Sequence, residues 1–372
     1  MDNLRAQIFS LRSDLGWAET TLQSSLLTDD VRKAFQARFA GFIHVQRQNL
    51  DDLLKSIESG GPTDASWGKL SRCQKECAAL FSECLAVIGG ATLRRHGEEV
   101  SICLIADALL AELSERVGIT WDRFTIPAEV DFFTEATGIV RLRYPFHDIW
   151  QLPVAAHELG HYMAPRITDF NNNLLFEEHL KGFMKAAERS HAKEFFADLF
   201  AIHALGPAYA CTCVFLRFNP RAELAGKDTE THPSFVKRVY FMLKAMDQVK
   251  EYEQVTADLR AAWQQAAAAV KLDADPGGDE RVQLDKLFAA QNSILRHIAP
   301  SRYSNWYQIG GLAAKLASEE VSRATCGDRC NLTDVVNAAW MARLLRDDQL
   351  TAVIGRRAVE LCKEIAAAGS PL

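Results

Sequence analysis

Apolar side chains recur every three to four residues along most of this chain, the spacing that lines one face of an α-helix. Leu4, Ile8 and Leu11, then Val31, Phe35, Phe39 and Phe42, keep a heptad-like rhythm that predicts helices up to about residue 58. The stretch SGGPTDAS (59–66) interrupts it. A helix is expected over 67–88, stopped by Gly89 and Gly90, and another over 101–118, ended by Gly118. Then the period changes. Residues 123–146 are rich in β-branched and aromatic side chains around a glycine-bearing turn, which predicts a short hairpin or meander. Helical spacing returns over 149–163 and continues through 183–205, 233–270, 281–298, 306–324 and 333–367, with LDADPGGDE (272–280) as an exposed linker. The fold class this implies is α+β and predominantly helical. Three stretches follow from it: an N-terminal helical region (1–100), a core around the sheet (101–250) and a C-terminal helical region (251–372).

Length and composition set the outer bounds. With 372 residues, 48% of them hydrophobic, the chain can bury a large core. A net charge of −6 leaves no footprint for nucleic acid or an anionic membrane, so neither is expected as a partner. The opening residues MDNLRAQIFSLRSDLGWAET lack a basic-then-apolar leader, and no uninterrupted apolar run reaches the roughly 18 residues that span a bilayer. A cytoplasmic protein is expected. The nine cysteines form an odd set, several within apolar helical patterns, and read as buried thiols rather than a disulfide framework. Cys73, Cys77 and Cys84, or Cys326 with Cys330, have spacings unlike those of a zinc ribbon.

One apolar helix carries chemistry that its surroundings do not explain. VAAHELGHYM (154–163) holds two histidines and a glutamate within five residues. Residues four apart share a helix face, so His157 and His161 present their imidazoles to a common point with Glu158 beside them. That pattern suits a zinc ion with two histidine ligands and a glutamate placed to take a proton from water. A third ligand is needed, with a fourth position left for water. In HAKEFFADLFAIHAL (191–205) Glu194 and Asp198 also share a face, Glu194 to complete the metal's protein ligands and Asp198 to accept the second ring N–H of a ligand histidine. THPSFVKRV (231–239) adds His232 and Arg238 just before another helix.

H-E-L-G-H, E-F-F-A-D and H-P-S-F-V-K-R-V together resemble the glutamate-zincin metallopeptidases, the last piece being similar to the H-P-x-x-x-x-R-I segment of the HtpX and CAAX-prenyl-protease group. The resemblance covers roughly residues 120–245 and extends equally to soluble zincins of the ImmA/IrrE type. It implies a zincin-like core holding one Zn2+ per chain on His157, His161 and Glu194, with Glu158 as general base and Asp198 orienting His157. His232 or Arg238 would stabilise the oxyanion or position the substrate, and the substrate would be a peptide or protein. The HtpX group is embedded in membranes. This chain departs from it there, so the resemblance concerns the catalytic core alone.

Other readings of the same residues stand beside this one. GIVRLRYP (138–145), just before the H-E-L-G-H helix, is expected as an edge strand on which an extended peptide could add, or else as part of a structural hairpin. Tyr144, Tyr162 and Tyr209 are either further donors or packing residues, and ITDFNNNLLFEEHLKG (167–182) is a lid or a connection. His191 and His203 read as satisfied histidines rather than ligands. Glu158-x-x-His161 and Glu188-x-x-His191 also match the E-x-x-H pattern of ferritin-like di-metal bundles, which would make the protein an oxidoreductase. A third reading is a non-catalytic binding module on a zincin fold.

Overall fold

Heptad spacing builds the first hundred residues into three long helices, α1 (Asn3–Leu22), α2 (Asp29–Gly60) and α3 (Asp64–His96). The computed structural model describes residues 3–22, 29–60, 63–96, 100–119, 125–129, 132–134, 139–143, 148–318, 321–326, 330–345 and 348–369. Buried positions advance in steps of three and four: Leu4, Ile8, Leu11 and Leu15 on α1, Phe39, Ile43, Leu50, Leu53 and Ile57 on α2. Phe42 is half-buried, the stripe running through Ile43 instead, and the side chains of Val31 and Phe35 lie outside the described residues. On α3 the stripe is Leu70, Cys73, Cys77, Leu80, Cys84 and Val87. The three cysteines are therefore core residues of a helix, each a small apolar side chain in its seam. Gln46, the one buried polar side chain among the described residues of α2, donates its amide to Glu76 of α3 at 2.7 Å.

Gly89 and Gly90 do not end α3. A Cβ on Gly90 would lie 2.3 Å from the carbonyl oxygen of Pro127, so that glycine lets the helix run against a strand. The strands are β1 (Thr125–Ala128), β2 (Phe132–Thr134) and β3 (Ile139–Arg143), in the order β1-β3-β2. β2 and β3 run antiparallel with Phe132 opposite Arg141 and Thr134 opposite Ile139. β3 is thus the middle strand, hydrogen-bonded on both sides: of the two readings of residues 138–145 it is the structural hairpin, paired with β2, and not the edge strand. Its near-continuous burial at Ile139, Val140 and Leu142 fits a central strand. Arg141 reaches Glu83 of α3 at 3.2 Å. Tyr144 lies outside the described residues.

The chain folds as two compact units, Met1–Val100 with Ile126–Pro145, and Ser101–Thr125 with Phe146–Leu372. These boundaries cut the chain differently from the three stretches read from sequence: the strands go with the N-terminal helices, and the C-terminal helices share a unit with residues 146–250. One described helix, α3, is long and apolar enough to cross a membrane by length and composition, with a window of mean hydropathy 1.4 in Asp64–Arg94.

The second unit is helical throughout: α4 (Val100–Arg116), α5 (Val154–Met163), α6 (Leu175–Leu180), α7 (Ala186–Leu205), α8 (Pro207–Thr212), α9 (Phe235–Met246), α10 (Glu253–Ala269), α11 (Gly278–Leu295), α12 (Gly310–Ser318), α13 (Arg323–Cys326), α14 (Leu332–Leu345) and α15 (Thr351–Gly369). α5 starts later than residue 149. Asp148 first accepts from the backbone N–H groups of Trp150 and Gln151, holding a turn, and Pro153 precedes the helix. Residues 167–182 contain α6 and a bridge between Thr168 and Leu174. The span 233–270 breaks where Val249 turns extended and buries its side chain, and 306–324 holds two short helices rather than one.

α7 is the central helix of this unit, burying Phe195, Phe196 and Phe200. α14 fastens its end. Asn337 donates to the carbonyl of Leu205 at 2.6 Å and accepts from the N–H of Ala208 at 3.1 Å, fixing the turn from α7 to α8. Near α13, Cys326 and Cys330 form a disulfide with Cα atoms 5.9 Å apart, a correction to the expectation of thiols throughout. The other seven cysteines are buried thiols, as expected.

Candidate metal centre

Helices α5 and α7 touch at their backbones. A Cβ on Gly160 would lie 2.8 Å from the Cα of Ala197, so the glycine of H-E-L-G-H is what allows this approach. The contact brings side chains from the two helices to one point. His157 and His161 stand on successive turns of α5 with their Nε2 atoms 3.2 Å apart. Glu194 of α7 meets both, its Oε2 3.4 Å from His157 Nε2 and its Oε1 3.3 Å from His161 Nε2. These three residues each offer a ligand atom within 4.8 Å of the others, and the group could hold a metal ion. Among the described residues it is the one such group. Glu158 is buried beside His157 on the same helix.

A layer of buried hydrogen bonds lies behind the ligands. Asp198, one turn after Glu194 and fully buried, accepts from His157 Nδ1 at 3.0 Å. Arg238 of α9 grips the same carboxylate twice, Nε to Oδ2 at 2.8 Å and Nη2 to Oδ1 at 2.6 Å, and its Nη1 lies 3.5 Å from Glu194 Oε2. Tyr209 of α8 completes the layer: its hydroxyl donates to Asp198 and sits 2.9 Å from His157 Nδ1. Fixing one N–H of His157 on Asp198 directs Nε2 to the cluster, where a bound metal would take the place of its proton.

Charge in this layer is balanced pairwise. Burial works against protonation of His157, but the carboxylates of Asp198 and Glu194 outweigh it and raise its pKa from 6.5 to about 9. Burial alone would push Glu194 and Asp198 upwards. Hydrogen bonds from the two histidines hold Glu194 well below the usual carboxylate range, and Arg238 with His157 lowers the pKa of Asp198. Two buried carboxylates thus face a guanidinium and an imidazolium, an arrangement that tolerates the loss of no single member.

His232 and Arg238, read together from the sequence, part company here. Arg238 is buried beneath the ligands and anchors them. His232 is half-exposed at the front, its Nε2 3.8 Å from Glu194 Oε1. Burial lowers its pKa, which favours the neutral ring. The Thr231 hydroxyl, 2.8 Å from its Nδ1, can donate there and leave the ring proton on Nε2. The loop carrying it is tied to the start of α7: His191 Nε2 donates to the Thr229 carbonyl at 2.7 Å, and the Ser190 hydroxyl to that of Thr231 at 2.9 Å. His191 is therefore a loop anchor. Glu188, half-buried, pairs with Lys185, and the second E-x-x-H brings no ligand to the group. His203 lies apart too, facing the Ile298 carbonyl at 3.4 Å.

Comparison with known protein families, curated proteins and solved structures finds no match. The reading of this site rests on its own geometry. Sequence spacing marked every residue of the centre except one in a specific place. For Tyr209 the sequence favours packing over a donor role, and its bond to Asp198 depends on the turn between α7 and α8, which no helical periodicity encodes. Tyr162 is buried, with its carbonyl accepting from Arg166.

Proposed function

We propose that the chain is a zinc-dependent metallopeptidase. The carrying observation is metric. Ligand atoms about 2.0–2.1 Å from one zinc at tetrahedral angles are about 3.3 Å apart; the two imidazole Nε2 atoms are 3.2 Å apart, Glu194 meets them with different oxygens at 3.4 and 3.3 Å, and one ligand atom of each residue lies within 4.8 Å of the others, a group small enough to close on one ion. Two imidazoles and one carboxylate are also a donor set of catalytic zinc sites, which keep a fourth position open. When bound, zinc supplies positive charge that polarises a carbonyl and makes water more acidic.

The remaining work belongs to the chain. Glu158 takes the proton from the attacking water and hands it to the leaving amine, so the water oxygen joins the carbonyl carbon as the C–N bond breaks. His232 donates its Nε2–H to the oxyanion at the front of the site. Asp198, held by Arg238 and Tyr209, keeps His157 in the tautomer that can ligate. The substrate class is a peptide or protein. A cytoplasmic address fits the seven buried thiols, the Cys326–Cys330 bridge being the one feature that an oxidising compartment would favour.

The test is hydrolysis. Zinc-loaded protein and its Glu158→Gln variant are incubated with an unstructured protein and with a peptide library, and new N-termini are read by mass spectrometry. Cleavage by the wild type that the variant loses by about 10²–10⁴-fold supports the reading; equal cleavage by both removes it.

A further inference from the structure

α7 borders a second cavity, and none of the residues lining it belongs to the metal group. Its volume is about 490 Å3, within the range of small-molecule sites. Leu199 and Ile202 of α7, Val249 before α10 and Leu295 of α11 are buried and give it an apolar floor. The rim is polar and of one sign. Arg296 and Arg302 line it, both exposed, with no carboxylate on either among the described residues. Gln248, Asn292 and Ser304 add neutral side chains able to donate, and among the described residues no aspartate or glutamate lines the cavity. Of the nearby acids, Asp247 is engaged by Arg260 at 2.8 Å, and Glu251 bears on Tyr252 from outside the lining.

Arg296 caps the C-terminus of α11, where a cation is favoured by the helix dipole. Arg302 has no such reason. Its charge bears on His203, where it adds to burial in keeping the imidazole neutral, with a pKa lowered to about 4. Two guanidiniums among the lining of a cavity with an apolar wall, together with neutral donors and, among the described residues, no lining acid, suit a dianionic group on an apolar body.

We propose that this cavity binds a small phosphate monoester, its phosphate held between Arg296 and Arg302 and its apolar or aromatic body seated against Leu199, Ile202, Val249 and Leu295. An apolar chain and a nucleoside are the two bodies this chemistry admits. The site is independent of peptidase activity: it shares helices α7 and α9 with the metal centre but none of its residues.

Calorimetric titration of the full chain decides it, with n-hexyl phosphate and adenosine 5′-monophosphate as probes and with inorganic phosphate and hexanol as controls. Saturable binding of one ester is expected, about tenfold or more tighter than inorganic phosphate, and weakened about tenfold or more by Arg302→Ala and by Arg296→Ala. The ester that binds names the body. No saturable binding of either ester at millimolar concentration overturns the proposal, as does binding that both arginine variants retain. The two arginines are exposed, so their variants keep the fold, which an unchanged melting temperature checks. Metal content in the same samples keeps this result separate from that of the metal centre.

Discussion

The stripe of α3 and the facing sides of α5 and α7 are equally well buried on the same helical spacing, yet they carry opposite chemistry. Along α3 every stripe position is leucine, valine or cysteine, and the thiols behave as small apolar groups, burial pushing the pKa of Cys77 up to about 11. Between α5 and α7 the buried positions include His157, Glu194 and Asp198, with Arg238 reaching in from α9. Core stability would be better served there by apolar residues of the same size, since a buried ion pair rarely outdoes a well-packed hydrophobic contact. The difference separates what holds a helix in place from what the helix is placed to do.

Substitutions should therefore sort by region. Replacing Arg238 with Met leaves Asp198 buried without its guanidinium and is expected to cost about 3–5 kcal/mol, with metal affinity falling as well. Adding Asp198→Asn removes the orphaned charge. The double variant should regain most of that stability in denaturant unfolding while its metal affinity stays about 10–100-fold low. By contrast Leu70→Ala, in the α3 seam, is expected to cost about 2–5 kcal/mol and leave the metal content untouched. If Leu70→Ala lowers metal content at a temperature where the protein remains folded, the separation is wrong.

Gly160→Ala sharpens the contrast with a single methyl group. The new Cβ must push Ala197 away, which costs about 1–3 kcal/mol in a packed contact. Moving α5 off α7 also parts the histidines from Glu194, so metal affinity should fall more than the stability loss alone accounts for, as a metal-binding titration on folded protein would read.

The smallest effect is one of pH. His157 keeps its proton up to about pH 9 in the metal-free fold against 6.5 in the reference state. A raised pKa means that the stabilisation from this proton is complete below about pH 6.5 and gone above about pH 9. A metal must displace that proton. The rise in melting temperature at fixed buffered free zinc should therefore grow as pH increases through this window. A rise that is flat or shrinks would mean that the proton and the metal do not compete for His157.

Much of the helical plan was legible in the residues because each long helix has a strong period. The faces of α5 and α7 followed from i, i+4 spacing alone, and so did the grouping of His157 with His161 and of Glu194 with Asp198. What was not legible depends on contacts between elements. Gly89-Gly90 read as a stop because only the strand beside α3 shows why Gly90 is needed. β3 read equally as an edge or as part of a hairpin because strand order is set by the partners and not by the strand. His232 and Arg238 could not be told apart, since six residues of spacing do not reveal which side chain turns inward to Asp198. Cys326 and Cys330 meet at the end of a short helix whose pattern is too brief to place them.

The central claim is that two helices exist in this arrangement to hold one metal ion. Elemental mass spectrometry on protein purified without added metal, wild type beside Glu194→Ala, tests it most directly. The account predicts close to one zinc per wild-type chain and little or none in the variant, with both proteins folded. No bound metal in the wild type even after loading, or an equal zinc content in both, would contradict it.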